Sequence, residues 1–260
     1  MLRELFESNL NELRYEPTAK HLRAAVDGNV VADTHDGLLV WEPRRLVPAY
    51  AIPVRHISAA LEPAGHIEHD TSLVLDPSIP FSAHTTPGEP FDVVIGDVTL
   101  ASAAFRPTDS ALADHVILDF GSFDWREEDE PIVSHPRDPY SRIDTLRSSR
   151  HVQIELDGQR LADSVAPVLL FETRLPVRYY LPAADVTVEL EPSETVSYCA
   201  YKGRAAYLSI PGGRKDIAWT YPEPLHDAAK VRDYVCFFNE RVDVVVDGRR
   251  EERPRSPWSD

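Results

Sequence analysis

The sequence has little of several residue types that would place it in a specialised class. Its 260 residues include two cysteines, one methionine and 11 glycines, which excludes a disulfide-dense scaffold and a glycine-rich low-complexity chain. The longest apolar run, 165–171, is far too short to cross a bilayer, and acidic residues interrupt the first segment where a signal peptide needs an apolar stretch. We therefore expect a soluble, cytoplasmic protein with free thiols at Cys199 and Cys236.

A cluster of basic residues is also missing. The chain has 27 lysines and arginines against 43 acidic residues, a formal net charge of -16 at pH 7. A charge of this sign repels nucleic acids and anionic membrane surfaces. We expect neither as a partner.

Proline is abundant, and the chain is long enough for two domains. The 22 prolines indicate rigid loops and strand ends rather than long helices. The usual domain size of about 100–200 residues favours two domains in a chain of this length.

An internal repeat defines those two domains. Residues 21–44 align with residues 151–174 at a constant offset, with eight of 24 positions identical. After a one-residue slip the match extends to a Leu-Glu-Pro triplet at 61–63 and 190–192. The repeat predicts two tandem copies of one domain, over 1–125 and 151–260, joined by a charged, proline-bearing linker over 126–150.

The local patterns predict a mainly β (α+β) fold, in which each copy is an antiparallel sheet or barrel with one short helix. The pairs Asp27-Gly28 and Asp157-Gly158 predict two-residue hairpin turns. A short helix is predicted over 224–234 from its apolar spacing, and an amphipathic N-terminal helix over 2–13. In the second copy the predicted strands are 166–172, 177–181, 185–190, 204–210, 215–220, 233–238 and 241–247.

Several motifs of the second copy resemble the domain of unknown function DUF 427, here in tandem. They are "LADS", "FETR", "YCAYKGRAAYLS", "AWTYPEP" and "YVCFFNERVDVVVDG". Some classifications give the family a nucleotidyltransferase label, which would imply carboxylates converging on Mg²⁺ and a glycine loop around phosphates. Neither is visible in the sequence. The two glycines of 211–215 lie between two strand patterns, where a turn is the ordinary expectation.

The C-x-x-K-G pattern of the family falls on Cys199, Lys202 and Gly203. A lysine close to a cysteine favours the thiolate and would give a nucleophile or a redox-sensitive group. The alternative is a small buried thiol at a strand end, followed by a glycine whose positive φ the turn requires.

The duplication favours a site in the second copy. An alignment of Gly203 with Gly88 gives the first copy a histidine for Cys199 and a proline for Lys202, and it also removes the tryptophan and tyrosine of 218–224. We therefore predict Cys199 and Lys202 as tentative catalytic residues of the second copy. The predicted ligand-binding residues, which supply flat rings and positive charge, are Tyr201, Tyr207, Trp219, Tyr221, Arg174 and Arg178.

This set suits a small anionic or planar ligand. For the aromatic residues, core packing is the alternative. Glu42 and Glu172 occur at equivalent positions of both copies, which indicates a common structural hydrogen bond rather than catalysis.

No metal or cofactor is predicted. His66, His69 and Asp70 lie close together in the sequence, but the second copy has nothing similar, and a solvated polar loop is the favoured interpretation. We expect a small-molecule-binding module with its pocket in the second copy, and the alternative is an enzyme that uses Cys199 and Lys202.

Overall fold

The computed structural model describes residues 9–65, 74–77 and 79–256. The chain divides into two compact units, Met1–Asp138 and Pro139–Asp260. The change from one unit to the other falls inside the predicted linker, 126–150. That range is not an irregular connection, because its first part forms strands of the first unit and its last part forms a strand of the second.

The described part of each unit contains eleven strands. Those of the first unit are β1 (Arg14–Pro17), β2 (Leu22–Val26), β3 (Asn29–Thr34), β4 (Leu38–Trp41), β5 (Ala49–Pro53), β6 (Ala60–Pro63), β7 (Gly88–Ile95), β8 (Val98–Pro107), β9 (His115–Leu118), β10 (Asp124–Glu127) and β11 (Glu130–Ile132). Those of the second unit are β12 (Ile143–Arg147), β13 (Val152–Leu156), β14 (Gln159–Ser164), β15 (Val168–Glu172), β16 (Arg178–Pro182), β17 (Glu191–Cys199), β18 (Gly203–Ser209), β19 (Ala218–Thr220), β20 (Tyr234–Phe237), β21 (Asp243–Val246) and β22 (Arg249–Arg250).

The two units have the same strand order. Each has a seven-stranded antiparallel sheet, β1-β4-β5-β9-β8-β7-β6 in the first unit and β12-β15-β16-β20-β19-β18-β17 in the second. Each also has a four-stranded sheet, β11-β10-β2-β3 and β22-β21-β13-β14. Every strand of the first unit therefore has a counterpart eleven strands later, and a duplicated two-domain layout accounts for this order.

The seven-stranded sheets are open rather than barrel-like. Among the described residues of the second unit, β12 and β17 are the two edge strands and do not pair with each other. The predicted alternative of a barrel is therefore wrong for both units, because closure requires the two edge strands to be hydrogen-bonded.

Both faces of the second unit's seven-stranded sheet are buried. On β15 and β16, Leu169 and Tyr179 join a core cluster with the four-stranded sheet, while Leu170 and Tyr180 join a second cluster. Successive side chains of a strand point to opposite faces, so the second cluster lies on the face that turns away from the four-stranded sheet.

The predicted hairpin turns are confirmed. Asp27 and Gly28 have φ values of 49° and 80°, and Asp157 and Gly158 have 51° and 82°. Two consecutive positive φ values are typical of a type I′ turn, whose twist matches that of the flanking strands.

The short helix predicted over 224–234 is wrong. A 3-10 turn occupies His226–Val231 instead, and no α-helix occurs in residues 9–65, 74–77 and 79–256. The apolar residues Leu225, Ala228 and Val231 recur every three positions, which aligns their side chains in a 3-10 geometry rather than an α-helical one. None of the described residues forms a helix that is long and apolar enough to span a membrane.

The N-terminal helix predicted over 2–13 lies mostly outside the described residues. Its described part is a 3-10 turn at Asn9–Asn11, and β1 follows directly at Arg14. Since β1 pairs with β4 in the sheet, backbone pairing takes precedence over the helical pattern at this end of the segment.

One predicted strand, 185–190, is also wrong. A 3-10 turn occupies Ala183–Asp185, and Val186 then makes a single isolated bridge to Ala162. The alternating apolar residues of this segment pack against the core as a loop, and the edge strand begins only at Glu191.

We predict that each unit folds without the other, because each has its own hydrophobic core. Separate chains covering 9–138 and 139–260 are expected to unfold in single cooperative transitions in urea, followed by circular dichroism and tryptophan fluorescence. A 139–260 chain without a cooperative transition would contradict the division into two units.

Candidate functional site

A tight turn joins the edge strand β17 of the second unit's larger sheet to its neighbour β18. Cys199 ends β17 and pairs with Gly203, the first residue of β18. Gly203 has a φ of +93°, and a Cβ atom there would lie 3.4 Å from the Glu223 carbonyl oxygen and 3.4 Å from Leu225 Cγ. The turn therefore favours glycine for its backbone conformation, while the space beside it would leave a Cβ atom in ordinary van der Waals contact.

Lys202 points from this turn to a carboxylate on another strand. Its ammonium forms an ion pair with Glu172, and it also interacts electrostatically with the Cys199 sulfur. Only 11% of the Lys202 side chain and 17% of the Glu172 side chain are exposed. Burial alone would lower the pKa of Lys202, but Cys199 and Glu172 outweigh burial and raise it above its ordinary value.

The two cysteines of the chain have different surroundings. Both are free, and Cys199 is partly exposed whereas Cys236 is buried. The Tyr201 backbone N–H donates to Cys199 Sγ over 3.5 Å. Burial raises the pKa of the Cys236 thiol to about 12, so that this second thiol stays protonated and inert at neutral pH.

The Glu172–Lys202 ion pair shows that the sheet is strongly curled. Glu172 ends β15, and β15 and β18 are separated by three intervening strands. In a flat sheet that separation would be about 19 Å, at roughly 4.8 Å per strand. The two side chains touch only because the sheet bends toward the face that carries them.

An aromatic cluster covers the same face. Trp219 Nε1–H donates to the Tyr180 hydroxyl over 3.0 Å, and the ring centroids of Trp219 and Phe238 are 4.5 Å apart. Tyr180 is completely buried, which raises its pKa well above 10. These rings form the floor of the face and belong to its hydrophobic cluster.

The predicted tyrosines lie at different depths. Tyr201 and Tyr221 are both 5% exposed, and burial raises the pKa of Tyr221 well above 10. Tyr207 is partly exposed, and its hydroxyl is 3.0 Å from Ser197 Oγ. Of the four predicted aromatic residues, Tyr207 is therefore the most accessible to a ligand.

The two predicted arginines are not equivalent. Arg178 is buried and forms a bidentate ion pair with Glu240, at 2.7 and 2.8 Å, and its guanidinium lies 5.5 Å from the centroid of the Trp219 ring. Arg174 is exposed in the turn after β15, with a φ of 69°. The charge of Arg178 is therefore matched within the protein.

Strand pairing gives the correspondence between the two units directly. Across four adjacent strands the paired residues are Tyr207, Trp219, Cys236 and Tyr180 in the second unit and Pro90, Phe105, Ile117 and Ala51 in the first. An aromatic ring is thus retained at the position of Trp219, in contrast to the sequence alignment.

Since Pro90 corresponds to Tyr207, Gly88 corresponds to Ala205. Counted back from β7 without a gap, Ser82 then stands at the position of Cys199 and Thr85 at that of Lys202. The alignment through the two glycines, Gly88 and Gly203, is therefore wrong by two residues. A β-turn shifts easily by such a step in an alignment, whereas the hydrogen-bonded register of four strands does not.

Glu42, the counterpart of Glu172, is fully enclosed by its own chain. It accepts hydrogen bonds from the backbone N–H groups of Thr85 and Thr86 at 3.1 and 3.2 Å, and it lies 2.9 Å from His84 Nδ1. Burial alone would raise the pKa of Glu42, but His84, Arg45 and the Thr86 amide together lower it. His84 in turn stacks on Phe105, with centroids 3.7 Å apart, so the described residues around Glu42 leave its carboxylate fully buried.

Sequence reasoning identified the recurrence of Glu42 and Glu172 but missed the different roles that the two units give them. Both carboxylates bind the segment that precedes the same strand, as a shared structural hydrogen bond would predict. In the second unit, however, the partner is a lysine side chain that also contacts a thiol. The sequence signal that could have shown this difference is that the glutamate recurs in both copies while Lys202 occurs only in the second.

A recess of about 310 Å³ lies at the other end of the β17–β18 hairpin. Its lining comes from the start of β17 and from the turn after β18: Glu191, Pro192, Ser193, Glu194, Ser209, Ile210, Gly212, Gly213 and Lys215. Gly212 has a φ of 65°, and the Gly213 N–H donates to the Ile210 carbonyl over 2.8 Å. The segment 211–215 is therefore a turn between strands.

Among the described residues, no three His, Cys, Asp or Glu side chains are grouped as ligands of a metal ion. The His66, His69 and Asp70 group lies outside the described residues.

The chain belongs to the family described as "Domain of unknown function (DUF427)", which it matches over residues 14–71 and 144–248. The two matched segments fall in the two units, in agreement with two tandem copies. No curated protein matches the chain.

We predict that Arg178 stabilises the fold rather than recruiting a ligand. Arg178→Met leaves the Glu240 carboxylate buried without its partner, so the free energy of unfolding at pH 7 should fall by about 3–5 kcal/mol. Urea unfolding of both proteins measures this difference.

The pH dependence provides the control. The Arg178 guanidinium and the Ser256 hydroxyl outweigh burial and lower the pKa of Glu240 from 4.5, so the stability that this group contributes is present above pH 4.5 and is lost as the pH falls below it. The difference between the two proteins should shrink in acid. A change of less than about 0.5 kcal/mol at pH 7 would instead leave Arg178 available for ligand binding.

Proposed function

We propose that the second unit is the functional copy and binds a small planar ligand beside Cys199, Lys202 and Glu172. One observation carries the proposal: these three polar groups meet at a turn where Cys199 is partly exposed, whereas the corresponding Glu42 is fully buried and bound by its own chain. A polar cluster above a floor of aromatic rings is the usual composition of a small-molecule site.

Charge narrows the class of ligand. The Lys202 ammonium is balanced by Glu172, and the Arg178 guanidinium by Glu240. Of the two expected ligand types, anionic and planar, this balance favours a planar ligand without net charge. Arg174, exposed two residues beyond Glu172, is the side chain best placed to donate a hydrogen bond to an uncharged polar substituent of such a ligand.

The aromatic residues support the site at two levels. Tyr207 is exposed enough to stack on a flat ligand, and its hydroxyl already accepts or donates a hydrogen bond at Ser197. Tyr201, Trp219 and Tyr221 are buried and would act by holding the floor in place, since rigid rings preorganise a pocket at low entropic cost.

A second candidate is an enzyme that uses Cys199 and Lys202. The contact between the Lys202 ammonium and the Cys199 sulfur favours it, because a nearby cation stabilises the thiolate that acts as a nucleophile. The nucleotidyltransferase label of the family has no comparable support among these residues.

We also propose a cytoplasmic location without nucleic acid or membrane partners. Two free thiols suit a reducing compartment, and the net charge of -16 disfavours association with polyanions. No cofactor is proposed.

Alkylation of the native chain tests the site. We predict that iodoacetamide modifies Cys199 and leaves Cys236 unmodified, as mapped by peptide mass spectrometry. Lys202→Met keeps most of the stem volume but removes the charge, so it should slow the modification of Cys199 by roughly tenfold. Benzoate and benzamide serve as planar probes, charged and neutral, and the neutral probe should protect Cys199 better.

Three results would count against this account. A Cys199 that reacts only after unfolding would show that the thiol is not accessible. An unchanged rate in Lys202→Met would remove the role of the cation. Failure of both probes to protect Cys199 would contradict binding of a planar ligand beside it. Ser82→Ala, at the corresponding position of the first unit, is the matched control and should change nothing.

A further inference from the structure

We propose that Cys199, Lys202 and Glu172 form a catalytic group that hydrolyses the C–N bond of small planar carboxamides. The inference rests on the proposed function, in that the substrate is the planar ligand bound beside Cys199. It goes further by naming a substrate class, a nucleophile and a proton path.

Cys199 has the position of a nucleophile. It is partly exposed at a turn, and its sulfur is held by the Tyr201 N–H at 3.5 Å and by the Lys202 ammonium. Two donors are thus directed at the sulfur that would attack. The only other thiol, Cys236, is fully buried and protonated, which leaves a single candidate.

Lys202 connects the thiol to a base. Its ammonium is hydrogen-bonded to Glu172 and interacts with the Cys199 sulfur, so it brings the carboxylate base and the nucleophile to one place while keeping its own proton. The same ammonium lies where negative charge develops on the oxygen of a carbonyl group under attack. Preorganised positive charge in a mostly buried place is an effective form of transition-state stabilisation.

The donors and acceptors of the group match a carboxamide. An ammonium only donates hydrogen bonds and a carboxylate only accepts them. A carboxamide offers a carbonyl acceptor and an N–H donor side by side in one plane, without net charge. Its oxygen fits Lys202 and its nitrogen fits Glu172, while an attached flat group fits the ring of Tyr207.

The reaction has two balanced steps. In the first, Cys199 sulfur forms a bond to the carbonyl carbon and the C–N bond breaks. Glu172 takes the thiol proton and passes it to the departing nitrogen, which leaves as ammonia, while Lys202 stays protonated beside the carbonyl oxygen. In the second, water attacks the resulting thioester. Glu172 takes a proton from the water, the C–S bond breaks, the carboxylic acid leaves and the thiol regains its proton.

The first unit has neither the thiol nor the ammonium of this catalytic group at the corresponding positions. Ser82 and Thr85 stand at the positions of Cys199 and Lys202, and the Glu42 carboxylate is already bound by backbone N–H groups. It is therefore an internal reference of the same fold without the reactive groups.

The test uses the full chain with benzamide and nicotinamide as probes. We expect release of ammonia, and a thioester on the Cys199 peptide after an acid quench, detected by mass spectrometry. Cys199→Ser should lower the rate of ammonia release by at least about 100-fold, and Glu172→Gln by about 100-fold. Ser82→Ala should leave the rate within about twofold. Circular dichroism of the nearly isosteric Ser and Gln variants shows whether they remain folded.

A pH profile separates catalysis by Glu172 from a purely structural role. If Glu172 is the general base, the rate falls at acidic pH as its carboxylate is protonated, and Glu172→Gln removes this pH dependence. If Glu172 is only structural, Glu172→Gln lowers the rate equally at all pH values. An equal loss would overturn the assignment of Glu172.

The outcomes distinguish this inference from the proposed function. If the amides protect Cys199 from iodoacetamide but yield neither ammonia nor a thioester, the hydrolase inference is wrong and the binding function stands. If they neither protect nor react, the inference is wrong and the proposal of a neutral planar ligand fails with it.

Discussion

A mostly buried ion pair between residues on distant strands is the interaction on which the second unit's site depends. Removing two charges from water is costly, and the cost is met only when the partners contact each other closely. Glu172 and Lys202 do so across an open, curled sheet. The curl of the sheet brings the two side chains together, and the pair in turn holds the β17–β18 turn, which carries the Cys199 sulfur, against β15.

The two units share one fold but surround their equivalent carboxylates, Glu42 and Glu172, with different groups. The strand order and the acid after the fourth strand are common to both. In the first unit, backbone amides and a histidine surround Glu42, and the histidine stacks on Phe105. In the second, a long lysine side chain replaces these short-range contacts. Ala200, Tyr201 and Lys202 of the turn are buried, and Cys199 beside them is partly exposed.

The duplication, the antiparallel sheets and the hairpin turns were predictable because they leave local or repeated patterns in the sequence. The Asp-Gly pairs are an example, since both residues need a positive φ that few others adopt easily. The proximity of Cys199 and Lys202 was also predictable, because residues three positions apart across a turn stay close.

Features that depend on contacts across the sheet were not predictable. The partner of Lys202 is 30 positions earlier in the chain, and only the curl of the sheet brings it near. The burial of Arg178 against Glu240 is likewise a tertiary property, so a residue expected to face a ligand proved to be part of the core. The 3-10 turn at His226–Val231 was mistaken for an α-helix because its spacing of three also occurs in amphipathic helices.

The most direct test of the central claim is a double-mutant cycle on the ion pair, measured by urea unfolding at pH 7 with Glu172→Gln, Lys202→Met and the combined variant. Each single change leaves a buried charge without its partner, so the combined variant should lose less stability than the sum of the two. We predict a coupling free energy of about 1–3 kcal/mol. Losses that add to within about 0.3 kcal/mol would show that the two side chains do not depend on each other, and would contradict this account of the site.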